Sequence, residues 1–76
     1  MSETLTVGER IRRLRRTKGW HQVELAAEVG VNRHTVAMWE TDRCLPRVAP
    51  LFDLARALGV SMEYVLTGQR EARDGS

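Results

Sequence analysis

Residues 20–46 read W-H-Q-V-E-L-A-A-E-V-G-V-N-R-H-T-V-A-M-W-E-T-D-R-C-L-P, and this stretch decides the fold. From Gln22 to Val29, Leu25, Ala26 and Val29 recur at helical spacing on one stripe, and Gly30 offers the left-handed residue that ends a helix. A second helix, predicted over 33–40, opens at Asn32, a preferred N-cap. It carries Val36, Trp39 and Glu40 on one face and His34 and Met38 on the other. Two amphipathic helices joined by so short a turn cannot lie parallel. Their apolar stripes share one core, and the second helix keeps a free outer face.

Working outward, Thr6-Val7-Gly8-Glu9 has the form of a capping box, followed by Val7, Ile11 and Leu14 on one stripe up to Gly19. A first helix over about 7–18 follows from this pattern. Trp20 with Leu25, Val31 with Val36, and Val60 with Val65 stand where hydrophobic staples bracket helix starts at His21, Asn32 and Ser61. A fourth helix is expected over 50–58, with Pro50 in its first turn and Gly59 as its stop. A fifth is expected over 62–67, ending at Gly68. Strand alternation and internal repeats are missing, so the chain reads as one all-α, compact five-helix domain over 1–68. The polar, aperiodic segment 69–76, Q-R-E-A-R-D-G-S, is expected to fray.

Seventy-six residues hold one small domain near the lower size limit for a self-sufficient core. A single cysteine, Cys44, excludes an intrachain disulfide and a thiolate zinc cluster, and suits a reducing cytoplasm. The sequence shows neither the pattern of a secretory signal nor an apolar run long enough for a membrane helix. Net charge is only +2, yet Arg10, Arg12, Arg13, Arg15, Arg16 and Lys18 place six positive charges and no negative one in nine residues. A solvated helix face would account for such a run taken alone, but beside the paired helices it points to nucleic acid.

The paired helices have the helix-turn-helix pattern, in which the second helix enters the DNA major groove. Four motifs occur in order: I-R-R-L-R over 11–15, Q-V-E-L-A-A-E-V-G-V over 22–31, W-E at 39–40, and L-A-R-A-L-G-V-S-M-E-Y-V-L over 54–66. Together they resemble the DNA-binding domains of lambdoid-phage repressor and Cro proteins, the xenobiotic-response-element (XRE) family, over about residues 7–67. The resemblance implies a phosphate contact for Gln22 and a structural salt bridge between Arg15 and Glu40. It also implies a homodimer on an inverted repeat of double-stranded DNA. Dimer candidates by the same token are Val48, Pro50, Leu51, Met62, Tyr64 and Val65. Three positions depart from the family pattern: His21 replaces the usual Ser, Thr or Asn cap, Asp42 stands where glycine is common, and Arg47-Val-Ala-Pro50 replaces a serine-capped helix entry. Asp42 is therefore expected to adopt the left-handed conformation at some strain.

On the predicted third helix, Arg33 lies in the turn that enters the groove most deeply and is the first candidate for a base contact, bidentate to guanine. His34 could donate to a guanine acceptor, while Ala37 and Met38 suit thymine methyls. Backbone contacts are expected from Gln22, His21, Asn32, Thr35, Arg43, Arg47, Arg10 and Arg12. His21, His34, Cys44 and Asp53 match no metal-ligand or nucleophile–base spacing, so neither a metal, a cofactor nor an enzymatic activity is expected. The leading function is a transcription regulator that acts as a repressor. The alternative is an antitoxin-like interaction protein whose main partner is a small toxin and whose DNA binding is autoregulatory.

Overall fold

This computed structural model describes residues 4–69. Five helices follow one another: α1 Val7–Thr17, α2 Gln22–Val29, α3 Arg33–Glu40, α4 Val48–Leu58 and α5 Met62–Thr67. No strand occurs among the described residues. The tail expected to fray lies, apart from Gln69, outside them.

Local chemistry explains four of the five starts. Thr6 Oγ1 accepts from the Glu9 N–H at 3.1 Å while the Glu9 carboxylate accepts from the Thr6 N–H at 3.0 Å, which closes the capping box of α1. The Glu24 carboxylate takes the His21 N–H at 2.6 Å at the head of α2. Asn32 and Ser61 cap α3 and α5 through the N–H groups of Thr35 and Tyr64. At each of the three staples the outer partner, Trp20, Val31 or Val60, is half-buried against the core, and the inner one, Leu25, Val36 or Val65, is wholly buried. Gly30 ends α2 at φ 84°, which turns the chain sharply into α3.

Two helix limits differ from the sequence reading. Lys18 caps α1 instead of extending it, and α4 begins two residues earlier than expected, at Val48 with Arg47 as its N-cap. Pro50 is thereby the third residue of α4, still within the first turn, whose N–H groups have no intrahelical acceptor.

The core is built from one stripe of each helix: Ile11 on α1, Leu25, Ala26 and Val29 on α2, Val36 and Trp39 on α3, Leu51, Leu54, Ala55 and Leu58 on α4, and Val65 on α5. Helix α3 packs against α2 and α1, so its inner side is held by two neighbours. No helix is long and apolar enough to cross a membrane among the described residues.

Candidate nucleic-acid interface

The outer side of α3 is built from the N-cap upward. Asn32 Oδ1 accepts from both the Thr35 N–H at 2.8 Å and the Thr35 hydroxyl at 3.0 Å, which fixes the first turn. Val36 and Trp39 point inward, whereas Arg33 and His34 are exposed and Thr35, Ala37 and Met38 are half-buried. Helices α1, α2 and α5 carry Glu9, Glu24 and Glu63 in their first turns, where a negative charge complements the helix dipole. Helix α4 has no acid in its first turn, and α3 has none either but carries Arg33 and His34 there. A cation at that end opposes the dipole by about 0.3–1 kcal/mol, so the placement does not serve the helix itself and suits an anionic or acceptor-rich partner.

A chain of hydrogen bonds connects this exposed turn to the interior. Arg15 and Glu40 form a two-pronged ion pair, Nε to Oε2 at 2.7 Å and Nη2 to Oε1 at 3.0 Å, with both side chains nearly excluded from solvent. The remaining Arg15 nitrogen donates to the Trp20 carbonyl at 2.7 Å, which ties the end of α1 to the entry of α2. Gln22 Nε2 donates to Glu40 Oε1 at 3.1 Å, and Gln22 Oε1 accepts from Arg33 Nη1 at 3.2 Å. Since a carboxylate only accepts and a guanidinium only donates, this pairing admits a single orientation of the amide. Arg33 is thus steered by the same pair that joins α1 to α3. Around it a depression of about 600 Å³ is lined by Arg15, Arg16, Trp20, His21, Gln22 and Arg33 among others. A second, of about 290 Å³, has Ala37, Met38 and Thr41 between His34 and Arg43.

Several expected site residues lie elsewhere. Arg10, expected at the DNA backbone, is 3% exposed: Nη1 donates to the Val65 carbonyl and Nη2 to the Leu5 carbonyl, each at 2.8 Å. It satisfies a carbonyl in the last turn of α5 and clamps the chain entry, because its position beside Ile11 turns it under the helix. The Thr35 hydroxyl proton is engaged by Asn32, which removes the donor that a phosphate contact would use, while Asn32 keeps its amide NH₂. Among the dimer candidates, Leu51, Tyr64 and Val65 are buried in the fold, as the inward stripes of α4 and α5 require. Val48 is exposed and Pro50 and Met62 are half-buried. Arg12, His21, Arg43 and Arg47 are exposed.

The structure adds residues the sequence reading did not single out. Leu45 and Phe52 are 63% and 55% exposed; with Val48 at 76% they expose apolar surface along the loop before α4 and its outer side. Phe52 stands one turn after Val48, a spacing that could have revealed it. Asp42 is left-handed at φ 62°. Its N–H and that of Arg43 close the end of α3 on the Trp39 and Met38 carbonyls. Its carboxylate then crosses to α1, where Oδ2 accepts from the Thr6 hydroxyl at 2.6 Å and Oδ1 from the Gly8 N–H at 2.9 Å. The residue that departs from glycine therefore caps a different helix.

The family signature described as helix-turn-helix matches residues 11–65. An uncharacterized HTH-type transcriptional regulator, y4dJ of Sinorhizobium fredii, is 39% identical over 70 residues, which is 92% of this chain and 91% of that protein. The P22 c2 repressor, solved in complex with a synthetic operator, superposes with a TM-score of 0.84 at 35% identity, over 87% of this chain and all of that one. SinR, solved in complex with SinI, superposes with a TM-score of 0.75 at 29% identity, over 80% of this chain and 60% of that one; SinR is a Bacillus subtilis protein.

Proposed function

The chain belongs to the helix-turn-helix family of DNA-binding transcription regulators, and from that premise we propose that it is a repressor that reads an inverted-repeat operator as a homodimer through the outer side of α3. The observation that carries this reading is the cationic first turn of α3, with Arg33 exposed yet steered by Gln22 and the buried Arg15–Glu40 pair. Arg33 is the residue for a guanine edge, and His34 flanks it. The apolar floor of Ala37 and Met38 suits thymine methyls. On meeting DNA, Gln22 can exchange a partner for a phosphate, and His21, Asn32, Arg43 and Arg47 lie at exposed positions around α3 for backbone contacts.

One domain of this size covers too little DNA for tight specific binding, and two copies related by a two-fold axis would place their α3 helices in half-sites about 34 Å apart. The exposed apolar surface of Leu45, Val48 and Phe52, bordered by Pro50, supports a contact between copies. Met62 is the remaining dimer candidate. The same surface favours a second reading, an antitoxin-like protein whose apolar face is held by a small partner polypeptide. SinR was solved with another protein, SinI.

Selection of the purified protein on random duplexes at two salt concentrations tests both. The repressor reading expects an enriched inverted repeat and a steep salt dependence, on the order of a thousandfold between 50 and 200 mM for six to eight phosphate contacts. Arg33→Ala then flattens the preference at one base step of each half-site. Absence of any enriched sequence refutes the repressor reading, and a second small protein that co-purifies in equal amount supports the alternative.

A further inference from the structure

We propose that the outer side of α1, carrying Arg12, Arg13 and Arg16, is a second DNA-backbone surface that grips phosphates flanking the half-site read by α3. This rests on the DNA-binding reading above and extends it to an element outside the paired helices.

The basic run divides in two once it is folded. Arg10 and Arg15 are buried and bonded to carbonyls or to Glu40. Arg12, Arg13 and Arg16 are exposed, and none of the three has an acidic partner among the described residues. Glu9, the acid of the same helix, holds the capping box through the Thr6 N–H. Arg12 and Arg16 are four residues apart, a like-charged spacing that opposes helix formation by about 0.2–0.5 kcal/mol. The helix dipole offsets this only for Arg16, in the last turn. Glu9 lies three and four residues before Arg12 and Arg13 and lines the same depression, so it offsets part of their charge; the side still carries three guanidiniums against one carboxylate, a liability in the isolated domain and an asset beside a polyanion.

Position supplies the second argument. Arg16 lines the 600 Å³ depression together with Gln22 and Arg33, and it also lines a neighbouring one of about 540 Å³ with Arg12 and Arg13. One guanidinium thus joins the first turn of α3 to the α1 strip without a break. Residues three and four apart on a helix hold their Cβ atoms about 5–6 Å apart, so the long side chains can each meet a different phosphate of one strand. A protein partner would need a cluster of apolar or aromatic anchors at the centre of its contact; Leu45, Val48 and Phe52 belong to the α4 region and Leu66 to α5, and beside the α1 strip Val23, at the rim of the 600 Å³ depression, stands as a single exposed apolar side chain among the described residues.

The test uses the full chain and its selected operator in duplexes with long and short flanks. The triple variant Arg12→Gln, Arg13→Gln, Arg16→Gln keeps good helix formers at exposed positions, and its melting curve verifies the fold. These three contacts come in addition to the six to eight that the dimer makes around α3, and at about 0.9 per phosphate contact their removal should lower the slope of log affinity against log salt by about 2.7 per protomer. The advantage of long flanks should vanish, and base preferences should stay unchanged. A triple lysine variant should keep most of the slope, because charge suffices for this term. An unchanged slope with Arg33→Ala still flattening base preference overturns the α1 surface and leaves the regulator reading standing. Lost base preference in the triple glutamine variant, or loss of binding to a co-purifying acidic protein in place of DNA, also overturns it. A wild-type protein with no salt-dependent DNA binding refutes the regulator reading itself.

Discussion

Replacing Gly8 by alanine is expected to destabilise this domain, although helix propensity alone predicts the reverse. Gly8 is the second residue of α1, and alanine there should gain up to about 1 kcal/mol from propensity. An added Cβ, however, would stand 2.7 Å from the Glu40 carbonyl oxygen and 2.8 Å from Asp42 Oδ1, and would press on the Trp39 carbonyl as well. The obstacle is backbone at the end of α3, which cannot swing aside as a flexible side chain could. The start of α1 must withdraw, and the Gly8 N–H and Thr6 hydroxyl bonds to Asp42 lengthen with it. Overpacking of this kind costs about 1–3 kcal/mol, and loss of an N-terminal cap adds about 1 kcal/mol. Set against propensity, the net loss is about 2 kcal/mol, which for a domain of this size lowers Tm by roughly 8–16 °C. Thermal and urea unfolding followed by far-ultraviolet circular dichroism measures it, with an unchanged urea slope showing that the unfolded state is not at issue. A Tm equal to or above that of the parent would refute the close approach of α1 to α3.

Glu40→Ala leaves the Arg15 guanidinium buried without its counterion and strips Gln22 of its anchor, so a loss of about 3–5 kcal/mol is expected in urea titration; a loss under 1 kcal/mol would show the pair to be dispensable. At Asp42, stability should fall in the order Asp42→Asn, Asp42→Gly, Asp42→Ala. Asparagine keeps an acceptor and tolerates left-handed geometry, glycine only tolerates the geometry, and alanine does neither, at about 1–2 kcal/mol below glycine. Melting temperatures of the three variants read this order directly, and alanine matching glycine would contradict it. Deoxyuridine in place of the half-site thymine facing Ala37 and Met38 removes one methyl group, and affinity should drop about fourfold, the equivalent of about 0.8 kcal/mol. Equal affinity for both duplexes would remove the methyl contact.

How far the chain could be read residue by residue depends on how local each signal is. Caps and staples operate within one or two turns, so Thr6, Asn32 and Ser61, with Trp20, Val31 and Val60, mark helix starts in the sequence itself. The start of α4 was misplaced because Arg47 makes no side-chain cap bond and its entry carries no capping pattern. Reading charge as exposure holds for Arg12 and fails for Arg10. A long aliphatic stem lets a guanidinium cross a helix surface to a carbonyl that no sequence window contains. Phe52 lies one turn after Val48, but a helix start placed at Pro50 leaves Val48 outside α4 and hides the spacing that turns both side chains outward.

The sequence by itself determined the helices, their apolar stripes, the tight turn at Gly30 and the cationic outer side of α3, since all of these follow from spacing within a few residues. Only the tertiary structure decided which polar groups are partnered. It buried Arg10 against α5, made Asp42 the cap of α1 across the end of α3, linked Arg33 through Gln22 to Glu40, and left Arg12, Arg13 and Arg16 without an ion-pair partner among the described residues. These pairings join residues up to 55 positions apart. Their energies depend on distances of about 3 Å between groups that the chain brings together only when all five helices have docked.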